Sequence, residues 1–277
     1  MNEKDFFIRH SIKPKQEDPE SSDFKGISEK GVELAGERAE EILNYLEDSE
    51  KGTVLFTGAV SEIPRTKSTA LAFGEKIKDI ILEQDNKDVL VFMPKDLENI
   101  DGFTNKRDYL VNQISANPEK KIIVDFPLFV KEFSFNGDFT TKEGKLTPFS
   151  NELLERNGYD EEKALKDWLS NQGVIEDLQG PSPKAIAEKQ LQGIDRLREF
   201  AEKNIPDRPI IIGSVGHSWS LDVLALYLIN SNEVNAEAFD KIKAKMIGET
   251  GMVRLIKKEG KPFLQYGELE VPLDKKE

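Results

Sequence analysis

The chain holds two histidines in 277 residues, and each closes an apolar run of strand length. Phe6-Phe7-Ile8 leads into Arg9-His10, and Ile210-Ile211-Ile212-Gly213-Ser214-Val215 leads through Gly216 to His217. In an open α/β sheet, ligands gather just beyond the carboxyl ends of the strands. An arginine and a histidine delivered to that edge offer an anion several N–H donors and one nitrogen nucleophile. Two other readings compete. Both histidines together with carboxylates suit a divalent metal, but a neighbouring arginine repels a cation. Each histidine can also simply bond a backbone carbonyl at its strand end.

The elements that position these residues are read from periodicity. Ser28 caps a helix whose apolar stripe is Val32, Leu34-Ala35, Ala39, Ile42-Leu43 and Leu46. Thr53 to Gly58 is a second strand, and Pro64 opens a helix carrying Ala70, Leu71, Phe73, Ile77, Ile80 and Ile81. Val89 to Pro94 is a third strand, followed at once by Asp96, Glu98 and Asp101. Tyr109 to Ile114 reads as helix and Lys121 to Phe129 as a strand or buried segment. Glu161 to Leu169 is helical, with Trp168 as a packing anchor. Ser182 and Pro183 start a helix with Ile186, Leu191, Ile194, Leu197 and Phe200 inward. Ser220 caps a buried helix from Leu221 to Ile229. Val253–Ile256 and Phe263–Tyr266 pair as a closing hairpin across Lys258-Glu259-Gly260-Lys261.

Composition narrows the partners. Hydrophobic residues make up 38% and charged residues 33%, which is a globular rather than a disordered balance. The net charge of −13 opposes non-specific nucleic-acid binding and anionic membranes, both of which need a basic face. It leaves room for a small phosphorylated substrate held by a local cluster of arginine and histidine. The absence of cysteine removes disulfides, thiolate metal sites and thiol nucleophiles. No apolar run approaches the ~20 residues of a membrane span, so a cytoplasmic location is expected. The sequence assigns no oligomeric state.

Arg9-His10 after a short strand resembles the Arg-His-Gly motif of the histidine phosphatase (phosphoglycerate mutase-like) superfamily. Ser61-Glu62-Ile63-Pro64-Arg65-Thr66-Lys67-Ser68-Thr69-Ala70 is similar to its Ser-x-x-x-Arg-x-x-x-Thr-Ala segment. Gly216-His217-Ser218 is similar to its late Ser-His-Gly turn. The three blocks stand in the superfamily's order, over roughly the first hundred and the last seventy residues. The resemblance implies a single domain, 1–277, with an α/β three-layer sandwich and a mostly parallel sheet. A cap insertion over the active site, at about 103–180, is expected with it.

It also implies an activity: phosphomonoester hydrolysis of a small substrate through phosphohistidine. The alternatives are a phosphoglycerate-mutase-like transfer and a phospho-ligand-binding module of weak activity. In this reading His10 is the nucleophile, while Arg9, Arg65, His10 and His217 hold the phosphate. Guanidinium groups suit its oxygens because they fork and stay charged. Glu98 is the expected proton donor, followed by Asp96 and then by Asp125 or Glu132. No metal or other cofactor is required, because the Arg/His cluster neutralises the charge. Two departures stand out. Ser11 replaces the usual glycine after Arg-His, adding a side chain next to the phosphate. Ser218-Trp219 replaces a glycine pair, which would set an indole at the pocket's border.

Overall fold

The computed structural model describes residues 3–273, so residues 1–2 and 274–277 of the single-domain reading lie outside it. In chain order the elements begin with β1 (Phe6–Arg9), α1 (Glu29–Glu47), β2 (Val54–Val60), α2 (Pro64–Glu83) and β3 (Val89–Phe92). A single helical turn, Pro94–Leu97, precedes α3 (Phe103–Ala116), β4 (Lys121–Val124) and β5 (Leu128–Phe129). Then come α4 (Pro148–Arg156), α5 (Glu161–Asn171), β6 (Val174–Ile175), β7 (Leu178–Gln179) and α6 (Pro183–Asn204). The chain closes with β8 (Ile210–Gly216), α7 (Ser218–Ile229), α8 (Ala236–Lys241), β9 (Met252–Lys258), β10 (Lys261–Tyr266) and β11 (Leu269–Pro272).

These elements form two compact units. One takes His10–Phe129 and Ile194–Val215. Its strand pairings are all parallel: Leu55 faces Ile123 between β2 and β4, Leu90 faces Ile122 between β3 and β4, and Leu55 faces Ile211 between β2 and β8. Because side chains alternate along a strand, Thr57 and Asp125 point to one face and Phe56, Val124 and Ile212 to the other. The helix α2 covers the first face so closely that a Cβ on Gly74 would strike Asp125 Oδ2 at 2.0 Å. A glycine is what this helix–sheet approach requires. α1 packs beside α2, with Ala35, Ala39, Ile42 and Leu46 buried. The opposite face meets α3 and the second half of α6. Arg208 fastens the base of this layer by donating to the carbonyls of Gly52, Ile114, Asn117 and Lys120.

This is the expected mixed α/β architecture, with a parallel sheet between helices. Within the stretch expected as an insertion, β4 and β5 pair with β2 and β3, so residues 121–129 belong to this sheet. The helix α3 caps itself poorly at its start, where Gly102 has φ +78 and no side chain bonds the first N–H groups.

The other unit takes, of the described residues, 3–9, Val130–Gly193 and 216–273. Its pairings are antiparallel: Phe7 faces Val253 between β1 and β9, Phe263 faces Ile256 between β10 and β9, and Leu264 faces Val271 between β10 and β11. The β9–β10 hairpin turns where expected, on Glu259 and Gly260 with φ of 50° and 76°. Trp168 is fully buried, and its Nε1 donates to the Pro181 carbonyl at 2.8 Å. Trp219 stacks on it at 5.9 Å and meets Phe139 edge-on at 5.4 Å. That places Trp219 in an aromatic core, only 7% exposed. No helix among the described residues is long and apolar enough to cross a membrane.

Candidate active site

His10 follows β1 and is 4% exposed. Its Nδ1 lies 2.7 Å from the Ser11 carbonyl oxygen. A carbonyl only accepts, so the neutral ring carries its proton on Nδ1 and its lone pair on Nε2. That is the tautomer a nitrogen nucleophile needs. The Ser11 N–H donates to Thr69 Oγ1 at 3.0 Å, and that hydroxyl donates to the Arg65 carbonyl at 2.7 Å. Within this unit, the segment carrying His10 is therefore tied to the first turn of α2, where Arg65 stands.

Ser11 turns its hydroxyl to the first turn of α1. Its side chain is buried and donates to the Gly31 carbonyl at 2.6 Å, while Ser28 N–H bonds the Ile12 carbonyl. Ser11 is a latch between the segment that carries His10 and α1. Ser28 caps α1 as expected, accepting from Gly31 N–H.

In the other unit, Arg9 and His217 are each bound up with α7. Arg9 Nη1 donates to the Ile247 carbonyl, and Nη2 lies 3.1 Å from Glu249 Oε1. Arg9 Nε is buried without a hydrogen-bond partner among the described residues. The Ile247 N–H donates to Asp222 Oδ1 at 3.0 Å, and Tyr266 donates to the same oxygen at 2.6 Å. Asp222 lies on α7, whose N-cap is His217 itself. The expected cap at Ser220 is thus three residues late; Ser218 already has helical backbone, and the Leu221 N–H bonds the His217 carbonyl. Phe135 stacks obliquely on the His217 ring, with centroids 4.7 Å apart.

Burial pushes the Asp222 carboxyl up to about 7, although Tyr266, the Ile247 N–H and Arg9 all pull it down. Tyr266 is raised, chiefly by its own burial and then by the adjacent carboxylate. Asp222, Tyr266 and Glu249 are the supporting residues that sequence reasoning missed. One signal was present: Asp222 is the only charge in the mostly apolar Ser218–Ile229 helix, and a buried carboxylate needs partners.

The proton-donor candidates separate. Asp96 is committed to structure, accepting from Met93 N–H at 2.8 Å and from Lys78 Nζ at 2.9 Å. Glu98 is exposed just after the Pro94–Leu97 turn, without a hydrogen-bond or ion-pair partner among the described residues. The structure does not tie it to the His10–Arg65 segment. Asp125 is fully buried and accepts from Thr57 Oγ1 at 3.0 Å; burial raises it to about 7 against that hydrogen bond. Glu132 lies 3.8 Å from Lys131, with 12% of its side chain exposed. Among the described residues no group of three or more His, Asp or Glu side chains is arranged to hold a metal ion.

No family model matches the sequence, and no curated protein matches it. Among solved structures it is similar to a mycobacterial glucosyl-3-phosphoglycerate phosphatase, at 13% identity and a TM-score of 0.45, covering 91% of this chain and 88% of that one. It is also similar to the alpha-ribazole phosphatase of Shigella flexneri, at 15% identity, a TM-score of 0.40 and 98% of each chain. A phosphoglycerate mutase from Bacillus anthracis gives 11% identity, a TM-score of 0.41 and coverage of 95% and 93%.

Proposed function

We propose that the protein hydrolyses phosphate monoesters of small molecules through a phosphohistidine at His10. One observation carries the reading: the hydrogen bond from Nδ1 to the Ser11 carbonyl, which sets the lone pair on Nε2. That tautomer leaves Nε2 able to attack phosphorus. In the proposed first step Nε2 attacks phosphorus as the ester P–O bond breaks, and the leaving alkoxide takes a proton from Glu98. In the second step Glu98 removes a proton from water, which attacks phosphorus, breaks the P–N bond and releases inorganic phosphate.

Arg9, Arg65 and His217 would stabilise the charge on the non-bridging oxygens. The orphaned Nε of Arg9 supports this role, since a buried guanidinium N–H without a partner is costly and a phosphate oxygen is an acceptor of the right charge.

The test is turnover of an aryl phosphate by the full chain, with His10→Ala as control and acid-labile labelling by a radioactive phosphate donor. Turnover and labelling that both vanish in His10→Ala support the mechanism. Near wild-type turnover by that variant overturns it. Binding of phosphate without turnover would make the protein a phospho-ligand-binding module, and interconversion of phosphoglycerates would make it a mutase.

A further inference from the structure

On the sheet face opposite α2, the helices α3 and α6 do not close onto the strands. A cavity of about 100 Å³ remains between them, whereas a packed interior has few voids larger than a water molecule. Phe56, Val124 and Ile212 line it from the sheet, with Leu110 and Leu197 from the helices. The helix α3 is seated so loosely that Ile114 is its one buried residue. Phe103 and Phe200 stand 6.4 Å apart among the lining residues. They are 53% and 38% exposed, so they mark where the cavity opens. The inward position expected for Phe200 is thereby corrected: its ring edges an opening instead of entering a core.

The polar groups are few, and most are satisfied. Asn204 donates to the Phe200 carbonyl at 2.7 Å, and Arg107 is engaged by Asp108 through Nε and Nη2. A water needs two to four polar partners, and apolar cavities stay dry until an apolar ligand enters. Lys106 is the exception. Its ammonium lies 5.8 Å from the centre of the Phe126 ring and has no carboxylate partner among the described residues.

We propose that this cavity binds the chain of a medium-length aliphatic carboxylate, with Lys106 holding the headgroup. The apolar lining selects the hydrocarbon, and the uncompensated ammonium selects an anion at its end. A concave opening under a loosely seated helix suits a single chain better than the flat face of a second protein. The site is independent of the phosphatase reading, because it uses none of the residues assigned to that chemistry.

The experiment titrates the full chain calorimetrically with saturated acids of about six to twelve carbons. Each added methylene should tighten binding about fourfold until the cavity is filled. The alcohol of matching length should bind more weakly than the acid. Lys106→Met should weaken the acid about two- to fivefold and leave the alcohol unchanged. Leu110→Trp or Ala201→Phe should remove binding of both, with circular dichroism reporting whether each variant is folded. Lys106 is half-buried and methionine keeps most of its length, so its variant keeps the test decisive if the filled variants do not fold. No saturable binding at any chain length overturns the proposal, as does equal affinity of wild type and Lys106→Met for the acid. A dimer that Leu110→Trp converts to monomer also overturns it, in favour of a second copy on this face.

Discussion

Arg9 and Glu249 form an ion pair, with Nη2 3.1 Å from Oε1 and the arginine side chain 11% exposed. If Arg9 grips phosphate, the Glu249 carboxylate competes with the substrate for the same guanidinium and repels its charge. Glu249→Gln should keep an oxygen acceptor beside Arg9 while removing that charge. Inhibition by inorganic phosphate should then strengthen about two- to fivefold, the scale of a partly exposed pair. An unchanged inhibition constant would show that Arg9 does not touch the anion.

Gly31 is the second residue whose replacement is informative. A Cβ there would lie 2.9 Å from the Ile12 carbonyl oxygen and 3.3 Å from Ser11 Oγ. Ser11→Ala removes only the hydrogen bond to the Gly31 carbonyl and should cost about 1 kcal/mol of stability. Gly31→Ala forces apart the segment that follows His10 and should cost about 1–3 kcal/mol, as overpacking does. It should also lower turnover more than Ser11→Ala, because the Ser11 carbonyl orients His10. Urea unfolding beside initial rates checks both. A Gly31→Ala protein as stable as wild type would show that α1 gives way freely.

Asp222 predicts a pH dependence of definite sign. Burial raises its carboxyl to about 7 in the folded protein, whereas an unfolded aspartate titrates near 3.9. Between those values the folded state binds the extra proton, so this group's contribution to stability falls as pH rises and levels off above the folded pKa. Asp222→Asn keeps an acceptor for Tyr266 and the Ile247 N–H but does not titrate. The variant should therefore gain on wild type as pH rises from about 4 to 7, then run parallel to it. The difference between the two proteins isolates Asp222 from Asp125, which shifts the same way in both. A pH-independent difference would mean that Asp222 titrates alike in the folded and unfolded chain.

The parts of the fold that are local in sequence were legible in it. Apolar runs mark β1, β2, β3 and β8, and Ser28 and the Glu259-Gly260 turn declare themselves by residue type. What depends on distant partners was not. α7 begins at Ser218 with His217 in the N-cap position and no capping bond from its side chain, and no propensity ranks histidine there. The contacts of Trp219 with Trp168 and Phe139 join positions far apart in the chain, and nothing local announces them. Ser11 reads as an intrusion on a ligand until its hydroxyl is found on Gly31. Tyr266 lies 44 positions from Asp222, and nothing local to either announces the other. Phe200 follows the helical stripe of α6, yet the stripe outlasts the layer it packs against. For the candidate site, residue types and order named Arg9, His10, Arg65 and His217, but not the loop from Lys245 to Gly251 that holds Arg9.

The proton donor is where substrate choice decides most. A nitrophenolate leaving group needs little protonation, whereas an alkyl alkoxide needs nearly full proton delivery. If Glu98 supplies the proton, Glu98→Gln should slow hydrolysis of alkyl phosphates by about 10²–10⁴-fold and of nitrophenyl phosphate far less. Because the Glu98 side chain is exposed and has no hydrogen-bond or ion-pair partner among the described residues, the variant should unfold at the wild-type temperature, so a rate loss reports on chemistry. Asp96→Asn is the counter-experiment: it loosens the contacts with Lys78 and the Met93 N–H and should lower stability with no preference between substrates. An equal loss on both substrates in Glu98→Gln would point to binding instead of proton transfer. No loss on either would move the role to Glu132 or Asp125. Asp125→Asn would then separate those two, since a buried carboxyl held by Thr57 should affect stability and its pH dependence before it affects the leaving group.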